Sequence, residues 1–239
     1  MTSDESSPSS DNRVFLITGA STGIGAATAI EASKRGFRVA LTSRSEDKLS
    51  ELAVRCGGSG RALAVACDVQ DWESQKSMVD RVLAEFGQID VVFANAGGSF
   101  GGAFVGGDDT PEEWQQMVQT NVFGVAATAR LTLPNLIENN GQLILCGSVA
   151  GRIATGSLYS ATKWAVTGMA ESIRKKVTEH GVRVTLIGPG RVDTPFWDSP
   201  QSQGALRDID IAECVVWAAT QPKHVDVNEI LVRPVGQTI

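Results

Sequence analysis

The chain has 239 residues, 42% of them hydrophobic and 20% charged, and a formal net charge of -6, the proportions of an ordinary globular protein built on one continuous core. No apolar run reaches the ~20 residues that span a bilayer, and no dense Lys/Arg cluster marks a nucleic-acid or anionic-membrane binder. The four cysteines, Cys56, Cys67, Cys146 and Cys214, are scattered without a CxxC pair, and His180 and His224 stand apart from other ligands, so reduced thiols, no metal and small-molecule chemistry are the expectation.

Residues 1–12 are rich in Ser, Asp and Pro and lack the basic and apolar blocks of a signal peptide, which predicts a disordered cytoplasmic tail ahead of a single domain over residues 13–239. Seven apolar, β-branched runs follow, at residues 14–17, 38–41, 62–66, 91–93, 143–145, 182–187 and 229–232, with helical patterns between them. Strands that are apolar throughout are buried on both faces, and their alternation with helices requires crossovers to parallel neighbours. The expectation is a doubly wound α/β fold of Rossmann type with seven parallel strands, its ligand at the carboxyl ends of the strands.

After the first run comes Thr18-Gly19-Ala20-Ser21-Thr22-Gly23-Ile24-Gly25, with a helix expected from near Ala26. Gly19 permits a tight turn, Gly23 a close approach of backbone to a pyrophosphate, and Gly25 close helix packing, while the free N–H groups of the helix start bind the anion. The second run ends in Ser43-Arg44, where an acid would hold a ribose hydroxyl and an arginine accommodates a 2′-phosphate. Asp68-Val69 follows the third run, and the aspartate is also placed to cap the helix running toward Phe86. Asn95-Ala96-Gly97 follows the fourth, opening a glycine-rich flap over residues 97–107 that carries Phe100 and Phe104.

Further along, Asn121 sits within a helical stretch that it disfavours. Ser148 closes the fifth run, and Tyr159 and Lys163 follow at i and i+4, one face of a helix. Tyr159 is the chain's single tyrosine, and a cation beside a phenol eases loss of its proton. Gly188-Pro189-Gly190-Arg191-Val192-Asp193-Thr194 makes a turn after the sixth run.

The pattern TGxxxGIG, the Asn-Ala-Gly triplet, the YxxxK pair with its upstream serine, and the Pro-Gly turn stand in one chain order. Together they resemble the classical short-chain dehydrogenases/reductases from the first strand to the last. The resemblance implies an NADPH-preferring oxidoreductase that moves a hydride between nicotinamide and a carbonyl or alcohol carbon. It implies Tyr159 as general acid and base, Lys163 holding the nicotinamide ribose, Ser148 on the substrate oxygen, and Asn121 holding a water that links the lysine to solvent. It makes Asp68-Val69 an adenine contact, and Pro189, Gly190, Val192 and Thr194 contacts of the nicotinamide end. Ala94 departs from the family's pattern, which has a strand-bracing asparagine there. A homotetramer through the helices around residues 118–133 and 164–173 and the carboxyl end is also implied.

The segments 210–217, 221–225 and 229–234 are similar to the 3-hydroxy-acid (serine) and clavaldehyde dehydrogenase branch, although the loops after Ser148 and Thr194 are shorter. Phe196 and Trp197 on that short lid, facing the flap, predict an open apolar site for bulky or aryl carbonyl substrates. A 3-hydroxy acid is the rival, with Arg152 or Arg207 pairing its carboxylate. A non-catalytic dinucleotide sensor would commonly lack the Tyr or Lys retained here.

Overall fold

The computed structural model describes residues 12–196 and 204–237. The expected tail up to residue 11 and Trp197 lie outside the described residues. Asn12 belongs to the packed body, since its carbonyl accepts from the Arg38 guanidinium at 3.1 Å and from the Gln88 amide at 3.3 Å.

Strand and helix alternate from the start: β1 Val14–Thr18, α1 Gly23–Lys34, β2 Arg38–Ser43, α2 Glu46–Arg55, β3 Ala62–Ala66, α3 Trp72–Phe86 and β4 Val91–Ala94. The second half runs α4 Pro111–Val118, α5 Val125–Asn139, β5 Gln142–Cys146, α6 Leu158–Val177, β6 Arg183–Pro189, β7 Val192–Asp193, β8 Leu206–Arg207, α7 Asp208–Ala219 and β9 Glu229–Val232. Seven strands form one parallel sheet in the order β3-β2-β1-β4-β5-β6-β9. The expected doubly wound sheet is therefore present, and its order reverses between β1 and β4, where a crevice opens.

Period-two alternation divides each central strand between two cores. Val14, Leu16, Leu143 and Leu145 face the layer containing α3, α5 and α6 with Met78, Val82, Leu136 and Val166. Phe15, Ile17, Ile144 and Cys146 face α1, α2 and α7 with Ala29, Leu49, Ile211 and Val215. Each such fully buried aliphatic or aromatic side chain contributes about 1.5–3 kcal/mol, which is what holds the three layers together.

Three local features differ from the expectation. The first turn of α1 begins at Gly23 rather than near Ala26, because Thr22 already adopts the extended conformation of an N-cap. The cap of α3 is Asp71, whose carboxylate accepts from the Ser74 amide at 2.8 Å; Asp68 instead accepts from the Gln70 amide at 3.0 Å. The pair β7/β8 went unforeseen because two-residue strands leave no apolar run to read. Among the described residues no helix is long and apolar enough to cross a membrane.

Candidate active site

Loops leaving the carboxyl ends of six strands enclose one cavity of about 580 Å³. Its wall takes Gly19, Ser21, Thr22, Gly23 and Ile24 after β1, Ser43 and Arg44 after β2, and Asp68 and Val69 after β3. Asn95, Ala96 and Gly97 after β4, Ser148 after β5, Tyr159 and Lys163 on α6, and Pro189, Gly190, Val192, Thr194 and Phe196 after β6 complete it. The strand order sets Arg44 and Asp68 toward one end of the crevice and Ser148, Tyr159 and Phe196 toward the other.

The glycine loop is built for close approach. Gly19 has φ +65 and Gly23 φ +54, a region that costs glycine little. A Cβ on Gly23 would lie 3.2 Å from Thr194 Cβ, so the loop after β1 and the turn after β6 meet there. A Cβ on Gly25 would overlap the Gly19 carbonyl oxygen, which explains a glycine behind the cavity wall rather than on it. Thr22 makes no side-chain cap, so the first-turn N–H groups of α1 are open to an anion in the crevice.

Asn95 does the bracing that Ala94 cannot. Its side-chain amide donates to the Thr18 and Gly19 carbonyls at 3.0 and 3.2 Å, while its backbone N–H and that of Ala96 donate to Thr18 Oγ1 at 3.0 and 3.1 Å. The strand end and the glycine loop are thus fixed to each other. Asn95→Ala leaves two carbonyls without these donors and is expected to cost about 1–3 kcal/mol. Urea denaturation measures it, with a fall in midpoint as the expected result.

The chemistry-bearing side chains sit on and around α6. Ser157 caps the helix, accepting from the Ser160 amide at 3.2 Å, so Tyr159 lies in its first turn and Lys163 one turn on. Lys163 is 4% exposed; its ammonium donates to the Cys146 carbonyl at 3.0 Å and lies 5.7 Å from the Tyr159 ring centroid. The Tyr159 ring packs at 5.9 Å against that of Phe196. Ser148 Oγ accepts from the Ala150 amide at 3.1 Å.

Asn121 is brought near this group without lining the cavity. It occupies a π-helical turn, Gln119–Gly124, inserted between α4 and α5, a widening frequent at functional sites. Its amide nitrogen donates to the Gly98 carbonyl at 2.8 Å and to Thr162 Oγ1 at 3.1 Å, and its oxygen accepts from the Gly98 amide at 2.8 Å. Thr162 Oγ1 in turn donates to the Tyr159 carbonyl at 2.7 Å. The asparagine clamps the flap's start to α6 through these bonds.

Several lining residues carry no readable signal in the sequence. Ile153 and Thr155 in the loop before α6, Thr120 beside Asn121, Arg191 in the Pro-Gly turn and Gln237 near the carboxyl end all reach the wall. Gln237 is placed by the Arg191 amide, which donates to its Oε1 at 2.9 Å, a contact across 46 positions. In the flap, Phe100 lines the cavity, whereas Phe104 turns away and meets Trp114 edge-on at 5.5 Å. Cys67 and Cys146 also line the wall, but burial pushes both thiols up, which keeps them protonated and inert. Among the described residues no group of three or more His, Cys, Asp or Glu is placed to hold a metal ion.

Residues 13–204 match the short chain dehydrogenase family. An uncharacterized oxidoreductase of Staphylococcus saprophyticus is 37% identical over 232 residues, 94% of this chain and 98% of its own. The alcohol dehydrogenase of the archaeon Thermococcus sibiricus, solved with 5-hydroxy-NADP, superposes with a TM-score of 0.86 at 32% identity, over 95% and 98% of the two chains. The closed form of a serine dehydrogenase with NADP+ gives a TM-score of 0.88 at 30% identity, over 95% and 96%. Likeness that runs unbroken from the glycine loop through Tyr159 and Lys163 places this chain in the short chain dehydrogenase family of oxidoreductases.

Proposed function

We propose that the protein is an NADP(H)-dependent oxidoreductase that interconverts a ketone or aldehyde with a secondary or primary alcohol, acting on bulky apolar or aryl substrates. The observation that carries this reading is the shared cavity, with Ser148, Tyr159 and Lys163 toward one end and Arg44 toward the other. A dinucleotide fits the residues present: the open first turn of α1 suits its pyrophosphate, and Ser43 and Arg44 suit a 2′-phosphate. Asp68 and Val69 would hold its adenine, and Pro189, Gly190, Val192 and Thr194 its carboxamide; all six line the cavity.

When bound, the nicotinamide supplies or accepts the hydride. The chain's own work is to hold the reacting carbonyl and move a proton. Tyr159 Oη donates to the carbonyl oxygen in reduction and takes a proton from the alcohol in oxidation. Ser148 Oγ hydrogen-bonds the same oxygen and steadies its developing charge. Lys163, anchored by the Cys146 carbonyl, holds its ammonium 5.7 Å from the ring centroid and has further donors for ribose hydroxyls. Asn121 acts through Gly98 and Thr162, a bracing role in place of direct contact.

Phe100, Ile153 and Phe196 give the substrate end an apolar wall. The arginines of which either could pair with a 3-hydroxy acid's carboxylate are both engaged elsewhere. Arg152 makes a two-pronged pair with Glu229 at 2.8 and 2.7 Å, and Arg207 pairs with Asp210 at 2.8 Å; neither lines the cavity. Likeness to the serine dehydrogenase favours that second reading. With NADP in both assays, kcat/KM for a bulky aryl alcohol is expected to exceed that for a 3-hydroxy acid by at least about tenfold, the worth of a well-filled apolar pocket. The reverse preference overturns the substrate reading.

The partner is then a small molecule, with no nucleic acid and no membrane. Four free thiols support a reducing, cytoplasmic setting. Exposed Val118, Phe123 and Trp164 around α4, α5 and α6, with Trp217 and Leu231 toward the carboxyl end, support a homotetramer.

A further inference from the structure

The flap that walls the substrate end is closed by a single carboxylate. One oxygen of Asp109 accepts from both the Gly102 amide, at 2.6 Å, and the Ala103 amide, at 2.9 Å. Gly101 and Gly102 have φ +70 and +111, and a Cβ on Gly101 would overlap the Asp109 carboxylate. The backbone is therefore shaped to receive this side chain. From there the contact continues inward. Gly102 is buried, and a Cβ on it would lie 3.4 Å from the Tyr159 backbone nitrogen. Its carbonyl accepts from the Leu158 amide at 2.7 Å, supplying a partner for an N–H that a helix start leaves open. Ala103 forms a bridge with Ser157, the cap of α6.

We propose that Asp109 is a positioning residue: by latching the Gly102-Ala103 backbone onto the first turn of α6, it sets Tyr159 and the Phe100 wall for the substrate carbonyl. The hydrogen bond from Gly102 also holds its carboxyl below the usual range, so the latch stays charged at neutral pH. The pair of bonds spans seven and six positions and closes the flap's tip, residues 104–108, outside the cavity. Phe100, on the cavity side of the latch, is held in the wall by the same closure. Asp109 itself is absent from the lining, so its action on the chemistry passes through the Gly102 peptide.

The inference rests on Tyr159 being the proton donor, and its test separates the two. Asp109→Ala is compared with Asp109→Asn, whose amide oxygen still accepts from both N–H groups. Hydrogen exchange of the peptide covering Leu158 is read alongside kinetics. Asp109→Ala is expected to speed exchange at Leu158 and to lower kcat/KM about tenfold or more, as small misplacements of a reacting group do. The NADPH dissociation constant, read by cofactor fluorescence, should stay within about twofold, because among the described residues the glycine loop after β1 that would hold the pyrophosphate makes no hydrogen bond with Asp109. Asp109→Asn is expected to restore most of both losses. Unchanged Leu158 exchange in Asp109→Ala, or an Asp109→Asn variant as impaired as Asp109→Ala, overturns the latch. Because exchange is read without turnover, it decides the latch even where Tyr159→Phe retains activity and the proton-donor reading fails.

Discussion

Tyr159→Phe is expected to lose about two to four orders of magnitude in kcat, the usual contribution of a positioned general acid or base, while binding NADPH as the wild type does. The substitution keeps the ring, and with it the 5.9 Å packing against Phe196 and the 5.7 Å approach of Lys163. The backbone carbonyl of Tyr159 still accepts from Thr162 Oγ1, so the clamp from Asn121 is untouched. Only the hydroxyl is removed. Stopped-flow or steady-state turnover with an aryl ketone gives kcat, and quenching of protein fluorescence on NADPH addition gives the dissociation constant. A variant that turns over near the wild-type rate would refute Tyr159 as proton donor. A variant that loses cofactor binding in equal measure would instead assign the tyrosine to the dinucleotide.

The fold was legible because its determinants are local. Each sheet strand is an apolar run, and parallel pairing with helical crossovers leaves few arrangements. The glycines were legible for a similar reason, since Gly19 and Gly23 answer to the φ of their own residues. What escaped the sequence are relations between distant side chains. Nothing local marks Arg152 as the partner of Glu229, 77 positions away, so an arginine near Ser148 reads as a substrate anchor until the pair is seen. Asn121 stands out in the sequence by family resemblance and by its poor fit to a helix, but its partners Gly98 and Thr162 lie 23 and 41 positions away. Only the fold shows that it ties the flap's start to α6. Asp68 and Asp71 show the limit of local reading at shortest range: both suit a helix cap, and only the turn geometry selects Asp71.

Arg44→Asp is expected to lower kcat/KM for NADPH by about tenfold to a hundredfold, the loss of a charge-assisted contact worth roughly 1.5–3 kcal/mol. It should leave kcat/KM for NADH unchanged or raised, since an acid after the second strand accepts ribose hydroxyls. The structure makes the local charge balance sensitive to this one residue. Arg44 lines the cavity and has no ion-pair partner among the described residues, so its guanidinium is available to a ligand. The next helix begins at once, with Glu46 and Asp47 in its first turn. With arginine the three side chains sum to one negative charge, and with aspartate to three, a field that repels a phosphate dianion. Ser43 adds a hydroxyl at the same edge, its Oγ already accepting from the Ser45 amide at 3.1 Å and keeping its proton for donation. Competition by adenosine 2′,5′-bisphosphate isolates this contact from the nicotinamide end. It should inhibit the wild type and lose its grip on Arg44→Asp, while adenosine 5′-phosphate weakens little. A wild type that favours NADH, or an Arg44→Asp variant that still favours NADPH, would remove Arg44 from the 2′-phosphate site.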